Sequence, residues 1–202
     1  EGATGNFTSI SNAGDVNGDG FGDLIVGATG VSANGAGGSY VVFGKAAGFG
    51  AALNVSNLDG SNGFRLNGFA ENDRPTVSNA GDVNGDGFGD LIVGGFNYSG
   101  STNNAGFVVY GKTSGFSAAL NLSSIDGSNG FRLDGVAVGN QSGRSVSNAG
   151  DVNGDGFDDV IVGAWGADPN GEHSGSSYVV FGKAAGFDIS ELSLSHFNEA
   201  VK

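Results

Sequence analysis

The feature that most constrains this chain is a nine-residue segment that occurs three times. It reads Asp-Val-Asn-Gly-Asp-Gly-Phe-Gly-Asp from Asp15 and from Asp82, and the copy from Asp151 differs only at its eighth position; the starts lie 67 and 69 residues apart. A carboxylate or amide stands at positions 1, 3, 5 and 9. Three carboxylates in one short loop repel each other, which raises their pKa values or opens the loop. A divalent cation removes this conflict, and oxygen ligands on a flexible loop favour calcium over zinc or copper.

The spacing predicts three calcium sites, one in each loop. Side-chain oxygens at positions 1, 3, 5 and 9 and the backbone carbonyl at position 7 would form the ligand shell, while glycine at position 6 permits the positive φ of a tight loop. The predicted ligands are Asp15, Asn17, Asp19, Phe21, Asp23, Asp82, Asn84, Asp86, Phe88, Asp90, Asp151, Asn153, Asp155, Phe157 and Asp159.

Neither an EF-hand nor a metal-free turn accounts for the loop sequence. An EF-hand or dockerin loop needs an acidic residue at position 12 and a helix after it, but valine stands there in all three copies. Metal-free Asn-Gly hairpin turns would need one Asn-Gly pair each. Such turns would not explain why four oxygen-bearing residues recur at the same positions in all three loops.

The repeat extends well beyond these loops. Ser-Asn-Ala-Gly precedes each loop, Leu/Val-Ile-Val-Gly follows it, and a Tyr/Phe-Val-Val-Phe/Tyr-Gly-Lys run comes next, beginning at Tyr40, Phe107 and Tyr178. An Asp-Gly-Ser-Asn-Gly-Phe-Arg block closes the first two units, from Asp59 and Asp126. The apolar runs are short, β-branched or aromatic, and bounded by glycine, which is typical of strands rather than helices.

We therefore predict an all-β chain that forms one repeat domain over residues 1–202, with units at about 1–68, 69–135 and 136–202. Each unit would build a sheet of four antiparallel strands. Small sheets of this kind bury their faces by stacking, which predicts β-propeller blades; a β-sandwich or roll built from the same hairpins is the alternative. Propellers typically have about four to eight blades. Three units thus predict a partial propeller: an open arc, half of a dimeric ring, or a piece of a longer protein.

Two further expectations concern the open ends of such an arc. Uncovered apolar faces and strand edges would favour self-association through the open blade edges. Helix is favoured only over residues 190–200, where the Asp-Gly-Ser-Asn-Gly-Phe-Arg block of the third unit would be expected and is missing.

Composition narrows the function classes. The formal net charge is −13, from 21 acidic and 8 basic residues, and nine of the acids are the aspartates at loop positions 1, 5 and 9. Nucleic acid is not an expected partner, because the chain has no basic stripe. Cysteine is absent, so no thiolate metal site is possible, and no apolar stretch approaches the ~18 residues of a membrane span. Free calcium is abundant outside cells, which favours an extracellular setting, secreted or at the cell surface.

An enzyme is not expected. The two histidines, His173 and His196, do not recur between repeats, and the chain has neither a Gly-x-Ser-x-Gly elbow nor a phosphate-binding Gly-x-x-x-x-Gly-Lys-Ser/Thr loop. The carboxylates belong to the loops, and a calcium-bound carboxylate is a poor general acid.

The loop with its following strand, Asp-Val-Asn-Gly-Asp-Gly-Phe-x-Asp-Leu/Val-Ile-Val-Gly, resembles the FG-GAP repeat, the blade of the integrin α-subunit β-propeller and of many bacterial surface proteins. The resemblance covers essentially the whole chain and implies calcium ligands at the loop positions named above. The eponymous Phe-Gly is replaced by Phe-Thr, Arg-Pro and Gly-Arg at residues 7–8, 74–75 and 143–144, which resembles a bacterial-type variant. The resemblance to FG-GAP repeats implies a calcium-binding, non-catalytic adhesion or scaffold module.

The loops after each Ile-Val-Gly strand vary most between units. Three aromatic residues in or beside them are candidates for contact with a protein or glycan ligand: Phe96, Tyr98 and Trp165. A packing role fits Trp165 equally well. Two alternatives stay open beside the adhesion module, namely a calcium-dependent, lectin-like glycan-binding module and an accessory propeller domain of a larger extracellular enzyme.

Overall fold

The computed structural model describes residues 6–30, 36–71, 73–97, 104–184 and 187. Within these ranges the chain forms twelve β-strands and two short 3-10 turns, at Val55–Asn57 and Leu122–Ser124. The strands are β1 (Phe7–Gly14), β2 (Asp23–Ala28), β3 (Ala36–Val42), β4 (Gly63–Glu71), β5 (Asp73–Gly81), β6 (Asp90–Asn97), β7 (Ala105–Val109), β8 (Ala119–Asn121), β9 (Gly130–Asp134), β10 (Ser142–Gly150), β11 (Asp159–Ala164) and β12 (Ser176–Val180).

The strands form three sheets that follow one another along the chain. Their strand orders are β1-β2-β3-β4-β8, β5-β6-β7-β9 and β10-β11-β12. Neighbouring strands pair antiparallel, with the single exception of β8 on β4 among the described residues. The prediction of an all-β partial propeller is confirmed, because three separate small sheets are stacked face to face.

One strand lies in a different sheet from the one predicted. The sequence predicts four antiparallel strands per unit, but β8 comes from the second unit and pairs in parallel with β4 of the first, residues 119–121 lying opposite residues 65–67. The cause is an aromatic contact just before β8. Phe116 stacks on Phe64 of the first sheet, with ring centroids 4.7 Å apart, and this carries the following residues to the edge of β4. The third sheet has three strands within the described part of the chain.

Two apolar clusters fill the spaces between the sheets. We call the face turned toward the preceding sheet the front face of a sheet, and the face turned toward the following sheet its back face. Ile25 on the back of the first sheet and Leu91 on the front of the second belong to one cluster. Ile92 and Val160 belong to the other. Successive residues of β6 therefore face different cores, which explains why this strand is a continuous apolar run.

The Ser-Asn-Ala-Gly motif builds a β-bulge before each loop. In the first hairpin the pairing shifts between Asn12 and Gly14, Gly14 has a φ of 79°, and its N–H donates to the Asn12 side-chain oxygen (2.6 Å). The same shift and bond recur at residues 79–81 and 148–150. Glycine takes this φ without steric cost, and asparagine commonly bonds to the backbone two residues on. The motif thus fixes where strand becomes loop.

The first strands of the sheets, β1, β5 and β10, lie side by side at the inner edge of the stack, and glycine lets them approach the neighbouring sheet. A Cβ on Gly27 would lie 2.7 Å from the Pro75 carbonyl oxygen, and one on Gly94 would clash directly with the carbonyl oxygen of Gly143. The Thr76 hydroxyl donates to that same Gly143 carbonyl (2.8 Å). These backbone approaches set the spacing of the stack.

Two expectations concern helices. The helix predicted over residues 190–200 lies outside the described residues. Among the residues that are described, no helix has the length and apolar character needed to cross a membrane.

Replacing Gly94 with alanine should destabilise the stack. The new Cβ would meet the Gly143 carbonyl and push β10 away from β6, which should lower the free energy of unfolding by about 1–3 kcal/mol, the usual range for overpacking. Gly106→Ala in β7 is the matched control, because a Cβ there has only ordinary contacts, the nearest at 3.7 Å. Urea unfolding followed by circular dichroism measures both variants. Equal stabilities would contradict the close approach at Gly94.

Candidate metal-binding loops

Each aspartate-rich loop joins the first two strands of a sheet. The loops span residues 15–22, 82–89 and 151–158, directly after a bulge and directly before β2, β6 or β11. Glycine at loop positions 4 and 6 has a positive φ in all three copies, between 70° and 93°. The backbone conformation expected at position 6 is therefore present in every loop.

In the first loop, the polar side chains turn inward onto the loop's own backbone. Asp15 accepts hydrogen bonds from the N–H groups of Asp19 (3.0 Å) and Gly20 (2.9 Å). Asn17 Oδ1 accepts from the same Asp19 N–H (3.1 Å), and Asn17 Nδ2 donates to Asp19 Oδ2 (2.9 Å). Asp19 Oδ1 in turn accepts from the N–H of Phe21 (2.9 Å). The side chains of positions 1 and 3 thus converge on one backbone amide, and the side chain of position 5 is tied to them through Asn17.

The second and third loops repeat this arrangement. Asp82 and Asp151 accept from the amides four and five residues on, at 2.9–3.0 Å. Asn84 and Asn153 accept from the amide two residues on, at 3.0 and 2.9 Å. The aspartates at position 5 accept from the amide at position 7, at 3.0 Å in both loops. Every predicted side-chain position from 1 to 5 is brought together in each loop.

The aspartate at position 9 has a second task that sequence reasoning missed. Asp23 accepts hydrogen bonds from the Val16 N–H and the Gly44 N–H, both at 2.8 Å. Asp90 and Asp159 make the two equivalent bonds at 2.8–2.9 Å, and all three carboxylates are buried. They tie the loop start to the end of the third strand. An ionised carboxylate has about four acceptor sites, so both oxygens keep capacity for a cation.

The second loop shows the electrostatic cost of this arrangement. Burial raises the pKa of Asp90 to about 7; its two backbone hydrogen bonds lower it in part, and the carboxylates of Asp86 and Asp82 raise it further. Burial likewise raises the pKa of Asp23. A cation held among these oxygens would favour the ionised carboxylates and reverse the shift.

The chemistry of the donors fits a hard cation. The described residues contain no cluster of three or more His, Cys, Asp or Glu side chains placed to share a metal. The three aspartates of a loop, at positions 1, 5 and 9, are thus not placed to share one ion as they stand. A shell of six or more oxygens, as calcium takes, would need them to close in together with the asparagine amide, the phenylalanine carbonyl and water. All of these are oxygen donors, and calcium prefers such a set, whereas zinc and copper prefer nitrogen and sulfur.

Consecutive loops are also in contact with each other. The Gly89 N–H of the second loop donates to the Asp15 carbonyl of the first (2.9 Å). The ring of Phe88 covers Gly18, where any Cβ would clash with it. The phenylalanine at position 7 of the second loop is therefore an interface residue as well as a predicted carbonyl ligand. The sequence signal for this contact is that phenylalanine at position 7 and glycine at position 4 recur together in every loop.

The contact between the second and third loops has an additional bond. Phe157 covers Gly85 in the same way, and the Asp158 N–H donates to the Asp82 carbonyl (3.1 Å). Asp158 stands where the other loops have glycine, and its carboxylate accepts from the Asp82 N–H (2.8 Å). The one departure of the third loop from the shared sequence therefore makes a reciprocal pair with the first residue of the second loop.

The aromatic candidates for ligand contact fall in different sheets where the structure describes them. Phe96 lies in β6 of the second sheet, Trp165 follows β11 of the third, and Tyr98 lies outside the described residues. The half-exposed Trp165 ring stacks on His173, with centroids 5.1 Å apart, and the Arg144 guanidinium lies 4.9 Å from its centroid. Trp165 thus has partners within the chain, as a packing role requires.

Comparison with known proteins gives the same motif. The family model described as FG-GAP repeat matches residues 6–42 and 142–180. The chain carries FG-GAP repeats. A relative, integrin alpha-4 of Xenopus laevis, is 31% identical over 157 residues, which cover 76% of this chain but only 14% of that protein. The resemblance inferred from the loop motif is confirmed.

The matched ranges correspond to the first three strands of the first and third sheets, each with its loop. The second sheet lies between the two matched FG-GAP repeats and has the same loop hydrogen bonds at 2.9–3.0 Å. Loop geometry therefore extends the FG-GAP pattern through all three sheets.

Replacing Asp90 with asparagine should destabilise the protein even without metal. One carboxylate oxygen becomes an NH₂ group that faces a backbone N–H, and the unpaired buried amide should cost about 1–3 kcal/mol of unfolding free energy. Asp126→Asn is the control, because Asp126 is exposed and caps a surface turn by accepting from the Ser128 N–H. Urea unfolding in excess EDTA, above the pKa of Asp90, measures both. Equal losses would contradict the anchoring role.

Proposed function

We propose that this protein is a calcium-stabilised, non-catalytic adhesion or scaffold module of a secreted or cell-surface protein. The observation that carries the proposal is the threefold repetition of one loop in which the side-chain oxygens at positions 1 and 3 accept from the same backbone amide. FG-GAP repeats and an integrin α-chain relative add support for a β-propeller of the adhesion type.

In each loop the ion would be held by the side chains at positions 1, 3, 5 and 9 and by the phenylalanine carbonyl at position 7. Bound calcium supplies a double positive charge that offsets the repulsion between the loop carboxylates. The residues of the chain do the rest: the bulge starts the loop, the glycines allow its turns, and the buried aspartate closes it onto the sheet.

Ion binding in such a loop would also stabilise the stack of sheets. The carbonyls of Asp15 and Val16 accept hydrogen bonds from Gly89 and Lys112 of the next sheet, both at 2.9 Å. A loop fixed by an ion presents these carbonyls in one conformation, so less conformational entropy is lost when the next sheet docks. The proposed role of calcium is therefore to make neighbouring sheets into one rigid surface.

The non-catalytic part of the proposal rests on how the polar groups are used. The loop carboxylates already accept backbone hydrogen bonds, and the ring of His173, one of two histidines in the chain, stacks on Trp165. An extracellular setting follows from the calcium that such loops would require and from the integrin relative.

Of the alternatives, a glycan-binding module has the weaker support. Stacking of a sugar needs an accessible aromatic face, and the Trp165 ring already contacts His173 and Arg144. An accessory propeller of a larger enzyme would use the same calcium chemistry, with catalysis located in another domain.

Calcium should raise the thermal stability of the protein, and EDTA should remove the gain. A ligand that binds only the folded state at about 100 times its Kd adds about 2.7 kcal/mol per site, so three sites should give a large rise in Tm. Isothermal titration calorimetry should find three calcium ions per chain. A Tm that is the same in calcium and in EDTA would contradict the proposal.

A single-loop variant tests the assignment of the ligands. Asp86→Ala should reduce the stoichiometry from three ions to two, since Asp86 lies in the middle loop. Asp126→Ala removes the same charge from the same sheet, at a turn outside the loops where Asp126 accepts from the amide two residues on. It should leave three ions bound. Identical stoichiometry in the two variants would reject the middle loop as a site.

The adhesion part can be tested separately on beads coated with the protein. Beads should be retained on cell surfaces or on immobilised extracellular matrix proteins in calcium, and released in EDTA. Beads carrying Asp126→Ala should behave as the parent does, and beads carrying Asp86→Ala should bind less. Calcium-dependent retention on a glycan array, with none on proteins, would favour the lectin-like alternative instead.

A further inference from the structure

The contact between the second and third loops contains a bond that the contact between the first and second loops lacks. Asp158, at position 8 of the third loop, accepts a hydrogen bond at Oδ2 from the Asp82 N–H (2.8 Å). Its own N–H donates to the Asp82 carbonyl (3.1 Å). One residue of the third loop therefore holds both polar backbone groups of the first residue of the second loop.

The contact between the first and second loops has only half of this pair. Gly89 stands where the third loop has Asp158, and its N–H donates to the Asp15 carbonyl (2.9 Å). Glycine has no side chain that could accept from the Asp15 N–H. A Cβ built on Gly89 would lie 3.0 Å from that nitrogen, so a side chain at this position would start beside the same amide. The two contacts thus differ by one carboxylate in a shared geometry.

The bonds of the following loop residue are the same in both contacts. The Val83 N–H donates to Asp90 (2.9 Å), and the Val83 carbonyl accepts from the Lys183 N–H (2.9 Å). Val16 of the first loop makes the equivalent bonds at 2.8 and 2.9 Å. Among the described residues, the second loop therefore has all four backbone groups of its first two residues bonded, whereas the first loop has three.

The Asp158 carboxylate is held closely against the start of the second loop. A Cβ on Gly81, the bulge residue just before Asp82, would clash with Asp158 Oδ2. At the equivalent Gly14, a Cβ would lie 3.5 Å from the nearest atom of Gly89. Asp158 therefore fills a place beside the bulge that no side chain fills in front of the first loop.

The backbone that Asp158 holds carries a predicted ion ligand. The Asp82 carboxylate accepts from the N–H groups of Asp86 (3.0 Å) and Gly87 (2.9 Å) within its own loop. A ligand residue whose backbone is already fixed loses less freedom when an ion binds, and such preorganisation raises affinity. The half-buried Asp158 also adds a negative charge beside the loop, which favours a cation by Coulomb attraction.

We propose that Asp158 positions Asp82 for calcium, so that a residue of the third loop raises the calcium affinity of the second. This inference rests on the proposed calcium function. Asp158 is a positioning residue, since it acts through the backbone of Asp82 and not as one of the five ligands of either loop. The second loop should accordingly bind calcium more tightly than the first, which has glycine at the equivalent contact.

Calcium titration by calorimetry tests this role with two substitutions at one position. Asp158→Gly gives the third loop the sequence of the other two and should weaken one site by about fivefold or more, in keeping with the loss of a hydrogen bond to a charged group. Asp158→Asn keeps an acceptor oxygen and should recover part of the affinity. Glu172→Gln removes the same charge from an exposed position of the third unit and should bind calcium as the parent does.

Double variants identify the loop that is affected. In an Asp86→Ala background, where the middle site is disabled, Asp158→Gly should leave the two remaining affinities unchanged. In an Asp155→Ala background, where the third site is disabled, Asp158→Gly should still weaken one of the two remaining sites. The reverse pattern would confine the effect of Asp158 to its own loop and overturn the proposal.

A measurement without metal separates this inference from the proposed function. In excess EDTA, hydrogen exchange of the Asp82 amide, followed by NMR, should be faster in Asp158→Gly than in the parent, and Asp158→Asn should keep most of the protection. Circular dichroism checks that the variants are folded. If the parent binds three ions and Asp158→Gly changes neither their affinities nor this exchange, the positioning role alone is overturned. A parent that binds no calcium overturns the proposed function and this inference with it.

Discussion

The buried carboxylate at the ninth loop position is the interaction on which each sheet depends. It is the first residue of the second strand, and its two oxygens accept from the amide at the loop start and from the glycine after the third strand. One side chain therefore links the first three strands at the same end of the sheet. Burial makes the ionised forms of Asp23 and Asp90 costly by raising their pKa values. The carboxylate is kept because the two N–H groups would otherwise lose their acceptor.

The same few atoms serve the loop and the contact between sheets. Glycine at position 4 has the positive φ that the loop needs and also the flat surface on which the next phenylalanine lies. Because both demands fall on one residue, a substitution there affects loop conformation and stacking together. The proposed calcium binding and the stability of the stack should therefore be coupled.

Much of this architecture could be predicted from sequence, because it repeats. Local chemistry that recurs in register predicts the first three strands of each unit and the grouping of loop positions 1, 3 and 5. The second role of Asp90 could not be predicted, since its partners are backbone amides, and one of them lies 21 residues away. Nor could the contact of Trp165 with His173, because both lie in the loop that varies most between the units.

The pairing of β8 with β4 could not be predicted for a related reason. Its partner strand lies in the neighbouring unit, and a three-residue segment is too short for its sequence pattern to indicate the pairing. Its position has a consequence for how the molecule can be divided. Residues 119–121 lie along the outer edge of β4, where an unpaired strand would otherwise invite aggregation. The second FG-GAP unit thus seals the rim of the first, so these two units form a cooperative folding unit larger than the sequence repeat. Cutting the chain between them would leave the first unit with an unpaired strand edge and the second with a short strand that has lost its partner.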